Sequence, residues 1–117
     1  VRSFAFRPPV GIVNPKLAPI LRELGMYCLA FSCRAADAGN RRVKDISKKI
    51  LKKVKADDII LLHDALPRRV EDEKILLMEI ENVLSGLTSI GLRVMPLSYL
   101  IGRPVMIVEK NMKKPVR

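Results

Sequence analysis

The sequence contains no tryptophan, only 2 tyrosines and 3 phenylalanines, and a single histidine among 117 residues. With so little aromatic area a core has to be built from aliphatic side chains, which suits layered helix and sheet better than a small barrel of strands. Cysteine is scarce too, with Cys28 and Cys33 the 2 present. Their odd spacing around an expected strand sends them to opposite faces. No disulfide is expected; both read as small buried hydrophobes outside any metal-ligand spacing, which favours a reducing compartment. A run of about 18 apolar residues is missing, so no membrane-spanning helix is expected. No secretory leader pattern opens the chain either. Because it starts at Val1 without an initiator Met, it is expected to be cut from something longer.

What is present is aliphatic and basic. Hydrophobic residues make up 49% of the chain and mean hydropathy is +0.13, enough for one packed domain over residues 1–117 and no more. The 22 basic residues outweigh 12 acidic ones, for a net charge of +10. Lys48, Lys49, Lys52, Lys53 and Lys55 fall opposite Val43, Ile46, Ile50 and Val54 on an expected helix, so they face water. Nucleic acid is not the expected partner, because base stacking needs aromatics among the charges. An anionic glycan or membrane headgroup stays open.

Along the chain, strands alternate with helices. Residues 3 to 6 form a short strand that ends at Arg7-Pro8-Pro9-Val10-Gly11, where two prolines and a glycine forbid regular structure. Asn14 and Pro15 start a helix with Leu17, Ala18, Ile20, Leu21 and Leu24 inward, stopped by Gly25. Met26 to Ser32 reads as a strand buried on both faces, followed by a polar loop from Arg34 to Arg42. A helix from Lys44 or Asp45 to about Val54 precedes a second buried strand, Asp58 to Leu62. Glu71, Asp72 and Glu73 open a long helix to about Ser89, with Ile75, Leu76, Ile80, Val83, Leu84 and Leu87 inward. Gly91 to Met95 is expected to be a third buried strand, Leu97 to Ile101 a helical turn, and Val105 to Val108 a last strand before a basic tail. This alternation implies an α/β fold of parallel strands joined by right-handed crossovers, with the site at the carboxyl ends of the strands.

Arg7, Asp37, His63 and Asp64 all fall at such ends. A lone histidine at a strand end is often only a satisfied polar residue, and Asp37, ahead of Gly39 and Asn40, is equally a turn aspartate. The apolar strand Ile59, Ile60, Leu61 and Leu62 has no structural need to end in an ionisable pair, however, whereas a general acid needs a rigid strand end beside a cleft. If Asp37 reaches His63, it holds the ring and favours its charged form.

Phe6-Arg7-Pro8-Pro9-Val10-Gly11 with Val13-Asn14-Pro15-Lys16-Leu17 resembles the third motif of the polysaccharide deacetylase family, the NodB homology or carbohydrate esterase family 4 domain. Phe31-Ser32-Cys33-Arg34-Ala35-Ala36-Asp37 resembles its fourth motif and Asp58-Ile59-Ile60-Leu61-Leu62-His63-Asp64 its fifth, in the family's order. Gly91-Leu92-Arg93-Val94-Met95-Pro96-Leu97 is similar to its last strand. The resemblance implies the C-terminal part of a distorted (β/α) barrel that removes N-acetyl groups from a polysaccharide or glycoconjugate, using water activated by a divalent metal, most often zinc. By the same resemblance His63 is the general acid, Asp37 orients and charges it, and Arg7 holds the carboxylate of the catalytic base. Leu62 lines the pocket for the acetyl methyl, and Pro9, Val10 and Phe31 border the substrate groove.

The departures are equally specific. The family's acidic pair and its two-histidine helix have no counterpart here, and one histidine cannot supply a two-histidine metal site, so no metal ligand is assigned to this chain. Val10 replaces a usual tyrosine, and Phe31 and Ala38 stand where tryptophans are common. The chain is therefore expected to be the later half of the domain, inactive alone, and to pair with its missing half or with a second copy through exposed sheet edges. Two alternatives remain beside this one: a small basic α/β module that binds an anionic polymer, and a noncatalytic deacetylase-like subunit that binds glycan.

Overall fold

The computed structural model describes residues 1–108. The basic tail expected after the last strand lies outside the described residues. Those described fall into two compact units, one of residues 1–30 with the segment from Leu97 onward and the other Phe31–Pro96.

In the first unit, strands β1 (Arg2–Ser3) and β2 (Ala5–Phe6) replace the single strand expected over residues 3 to 6. The break at Phe4 follows from a change of partner. The Phe4 amide donates to Val105 O at 2.9 Å, while its carbonyl accepts from the Tyr27 amide at 2.8 Å. Thus β1 runs antiparallel to the last strand, β6 (Met106–Ile107), and β2 runs parallel to β3 (Tyr27–Cys28). The uniformly parallel arrangement expected for the strands does not hold at β6. Between β2 and β3 lies helix α1 (Leu17–Glu23), reached through an Asn14 turn in which Oδ1 accepts from the Lys16 amide at 2.9 Å. It ends as a Schellman cap: Gly25 has φ +65°, its amide bonds to Arg22 O at 3.1 Å, and the Met26 amide reaches Leu21 O at 2.7 Å. Of the expected inward stripe only Leu21 is buried, whereas Ala18, Ile20 and Leu24 are exposed. Periodicity marks an apolar face without saying what covers it, and among the described residues no layer covers that one.

The apolar run from Met26 to Ser32 is likewise not one buried strand. Only Tyr27 and Cys28 of it form a strand, β3, and the next strand, β4 (Cys33–Arg34), starts just beyond the run and in the other unit. Cys33 is buried, but Cys28 is exposed, contrary to the expectation for both.

In the second unit, β4 pairs in parallel with β5 (Ile60–Leu61), and two helices pack together, α2 (Ile46–Leu51) and α3 (Glu71–Ser89). Their shared core holds Cys33, Ala35, Val43, Ile46, Ile50, Val83 and Leu87. Each fully buried isoleucine or valine there contributes about 1.5–3 kcal/mol. The lysines at 48, 49, 52, 53 and 55 are exposed, opposite this core. Helix α3 begins on its three acids, which complement the positive helix end, and stops at Gly91, with φ +80° and the Leu92 amide on Leu87 O at 2.9 Å. Leu84, expected inward, is 49% exposed, while Glu79, which no apolar pattern marks, is buried. The Glu79 carboxylate accepts from the Ser47 amide at 2.6 Å, at the first turn of α2. Asp45, the residue before that helix, is left-handed (φ 63°) and makes no cap of its own, so α3 supplies the acceptor from outside.

The segment from Gly91 to Met95 is not a strand. Gly91 is spent on the helix cap, and Arg93, Val94 and Met95 are exposed with no ladder partner among the described residues. The short helix expected over Leu97–Ile101 is present as α4, in the first unit. The described residues thus form a mixed α/β fold of three two-stranded sheets, two of them parallel, with no closed barrel.

Candidate active site

The parallel pairing of β4 with β5 sets Cys33 beside Ile60 and Arg34 beside Leu61, so the two chains leave the ladder at the same end. Three residues beyond Arg34 comes Asp37, and two beyond Leu61 comes His63. The imidazole Nδ1 of His63 stands 3.0 Å from both carboxylate oxygens of Asp37. An ionised carboxylate only accepts, so in that contact Nδ1 carries the hydrogen and Nε2 is the nitrogen turned to other chemistry. The Asp37 side chain is 7% exposed, against 37% for His63. A buried orienting acid thus holds a ring that solvent can reach.

The loop that carries Asp37 is unusual in its backbone. Ala36, Ala38, Gly39 and Asn40 all have φ between 52° and 66°. This left-handed region is rare for residues with a Cβ and here folds the chain tightly over a few residues. Asp37 helps to hold it, since Oδ1 accepts from the Gly39 amide at 3.3 Å and its carbonyl from the Arg42 amide at 3.0 Å.

Sequence reasoning overlooked Asn40. It is only 2% exposed, and its Nδ2 donates to His63 O at 2.9 Å and to Ala65 O at 2.7 Å. An asparagine after a glycine in a polar loop reads as a turn residue, and nothing in the pattern points it at the histidine strand.

The other residues singled out from the sequence are placed as follows. Leu62 is 37% exposed. Phe31 is half-buried and lies under the Arg34 guanidinium, 5.6 Å from its ring centre. Arg7, Pro9 and Val10 belong to the other unit. There the Arg7 Nε donates to Leu29 O at 3.4 Å, and Pro9 and Val10 form an exposed 3-10 turn with Val10 at φ 60°.

Ser32 and Asp58 make a second polar cluster, at the opposite end of the same ladder. Asp58 accepts from the Lys55 amide (2.8 Å), the Ser32 hydroxyl (2.8 Å) and the Lys55 ammonium (3.0 Å). These bonds, the Lys55 amide first, lower its carboxyl from 3.8 to about 2. Ser32 also accepts from the Ile59 amide at 2.9 Å, so the cluster ties the start of β5 to the start of β4. Burial raises the Cys33 thiol above its ordinary range.

Among the described residues no group of three or more His, Cys, Asp or Glu side chains could hold a metal ion. The only imidazole is already tied to Asp37, so these residues do not by themselves fit a zinc site.

No protein-family model matches the sequence, and no curated protein matches it closely. Among solved structures the chain is similar to a family 4 carbohydrate esterase from Streptomyces lividans in complex with acetate, with a TM-score of 0.64 and 24% identity. The likeness covers 88% of this chain and 50% of that one, so the chain spans about half the length of the structure it matches. At that identity it is the fold that the two share: a mixed α/β chain built like half of a family 4 carbohydrate esterase.

Proposed function

We propose that this chain carries the acid side of a hydrolase that removes acetyl groups from an N-acetylated glycan. The observation that carries the reading is the Asp37–His63 pair, a buried carboxylate 3.0 Å from the Nδ1 of a partly exposed imidazole at a strand end. The fold likeness to a carbohydrate esterase that holds acetate, the product of such a reaction, supports it. As the amide carbon–nitrogen bond breaks, the departing nitrogen takes the proton from His63 Nε2 and leaves as an amine, and the acyl carbon keeps the oxygen of the attacking water. Asp37 holds the ring in the tautomer that presents Nε2 and stabilises the charge it bears before transfer.

By the family resemblance alone, Leu62 is assigned to the acetyl methyl and Phe31 to the sugar, and in the other unit Pro9 and Val10 to the sugar and Arg7 to the carboxylate of the base that activates the water. By the family resemblance the full reaction would also call for a divalent metal, zinc most often, for which the described residues offer no ligand set. The isolated chain is accordingly inactive.

The test is acetate release from N-acetylated oligosaccharides by the full-length protein with added zinc, beside its His63→Ala variant. A loss of about 10²–10⁴-fold in the variant is expected. A variant as active as its parent, or a parent that releases no acetate, would overturn the reading. The exposed lysines of α2 give the competing basic module its own signature, a salt-dependent binding to anionic polymer that His63→Ala leaves unchanged.

A further inference from the structure

We infer that Asn40 is a positioning residue for His63, an inference that rests on the acid role proposed above. The side-chain contact from Asp37 fixes only the ring. Where the ring points in space also depends on the backbone that bears it, and His63 lies beyond the last paired residue of β5, where the ladder no longer holds the chain. Asn40 replaces the missing ladder bonds. Its two amide hydrogens go to the carbonyls of His63 and Ala65, at 2.9 and 2.7 Å, and so clip the segment through Asp64 from the side of the β4 loop.

The same short loop therefore grips the histidine twice, through the imidazole by Asp37 and through the main chain by Asn40. The grip is one-sided. Asn40 Oδ1 is buried and has no hydrogen-bond partner among the described residues. A buried acceptor left unmatched is unfavourable, so the amide is held there by its two donations, both of them to the segment that carries the histidine. The left-handed backbone of Asn40, φ 65°, aims it there, a conformation that asparagine tolerates better than most residues with a Cβ.

Two variants separate positioning from mere support. Asn40→Asp keeps the shape and the left-handed preference but removes both donors. Asn40→Gly fits the backbone and removes the side chain altogether. In the full-length protein both are expected to lower kcat at least about tenfold with KM within about twofold, because a displaced acid weakens the proton transfer and not the binding of the sugar. His63 is the single histidine of this chain, so in the 117-residue chain ¹⁵N-histidine labelling reports one imidazole. Wild type is expected to show one tautomer with Nδ1 protonated, and the variants a ring averaged over both, although Asp37 and His63 are untouched.

Wild-type imidazole signals together with wild-type kcat in Asn40→Gly would overturn the inference. A ring that loses its tautomer in the variants, in a protein whose parent releases no acetate, would instead sustain the positioning and overturn only the proposed function.

Discussion

Replacing Glu79 by alanine tests whether α2 owes its first turn to a neighbouring helix. The Glu79 carboxylate is the acceptor for the Ser47 amide at 2.6 Å, and Asp45 offers none in its place. Loss of a helix cap costs about 1 kcal/mol, within 0.5–2. The charge at the helix end adds about 0.3–1, taken here at the low end because α2 has 6 residues and a small dipole. Losing buried methylene contact adds roughly 1 kcal/mol, and the better helix propensity of alanine returns about 0.4. The sum is about 2 kcal/mol of destabilisation, or roughly 8–16 °C in melting midpoint for a domain of this size. Glu79→Gln keeps an oxygen at the same reach and is expected to stay within about 1 kcal/mol of wild type. Urea unfolding of the three proteins gives the ordering, and exchange of the Ser47 amide reports on the bond itself. If the alanine variant unfolds at the wild-type midpoint, the cap is worth nothing and the argument fails. Equal loss in both variants would mean that the charge matters and the hydrogen bond does not.

Asp58 gives a pH signature. Its carboxyl is lowered in the folded chain to about 2, so its contribution to stability is present above the ordinary 3.8 and is lost as pH falls from there toward 2. Ser32→Ala removes one of the donors to it and should raise the Asp58 midpoint in a carboxyl NMR titration; an unchanged midpoint would show that the hydroxyl does not set it. Gly86→Ala is expected to destabilise by about 1 kcal/mol despite the better propensity of alanine, because the new methyl would run into Leu51 Cδ1 and lie 2.9 Å from Cδ2 and 3.2 Å from Cγ. Combined with Leu51→Ala it should cost less than the two changes added, and strict additivity in a double-mutant cycle would refute the steric account.

How far the sequence reaches depends on whether a feature is local. Helix α3 runs over the residues its pattern marks, since its acids, its apolar period and Gly91 all act within the segment. The segment from Gly91 to Met95 has the apolar content of a strand, but a strand exists only through a partner, and none lies beside it among the described residues. The stripe of Ile20 and Leu24 shows the same limit from the other side, as an apolar face defined by the chain and left uncovered among the described residues. Glu79 was illegible because its acceptor role belongs to a helix some thirty residues earlier in the chain. The contact between Asp37 and His63 could be foreseen from strand ends that share a direction. Asn40 could not, because its partners are carbonyls, which leave no mark on a sequence.

The left-handed turn through Ala36, Ala38 and Asn40 has a consequence in time as well as in space. Each such residue disfavours the folded loop by about 1 kcal/mol, and more for the alanines, which have no side-chain bond to offset it. That cost falls on the folding equilibrium, once in the life of each molecule. A histidine held by a loose loop would meet a similar cost at every encounter with substrate, as the loop ordered around it. In this chain the loop is ordered in advance, so under the proposed function the barrier to reaction need not include that cost.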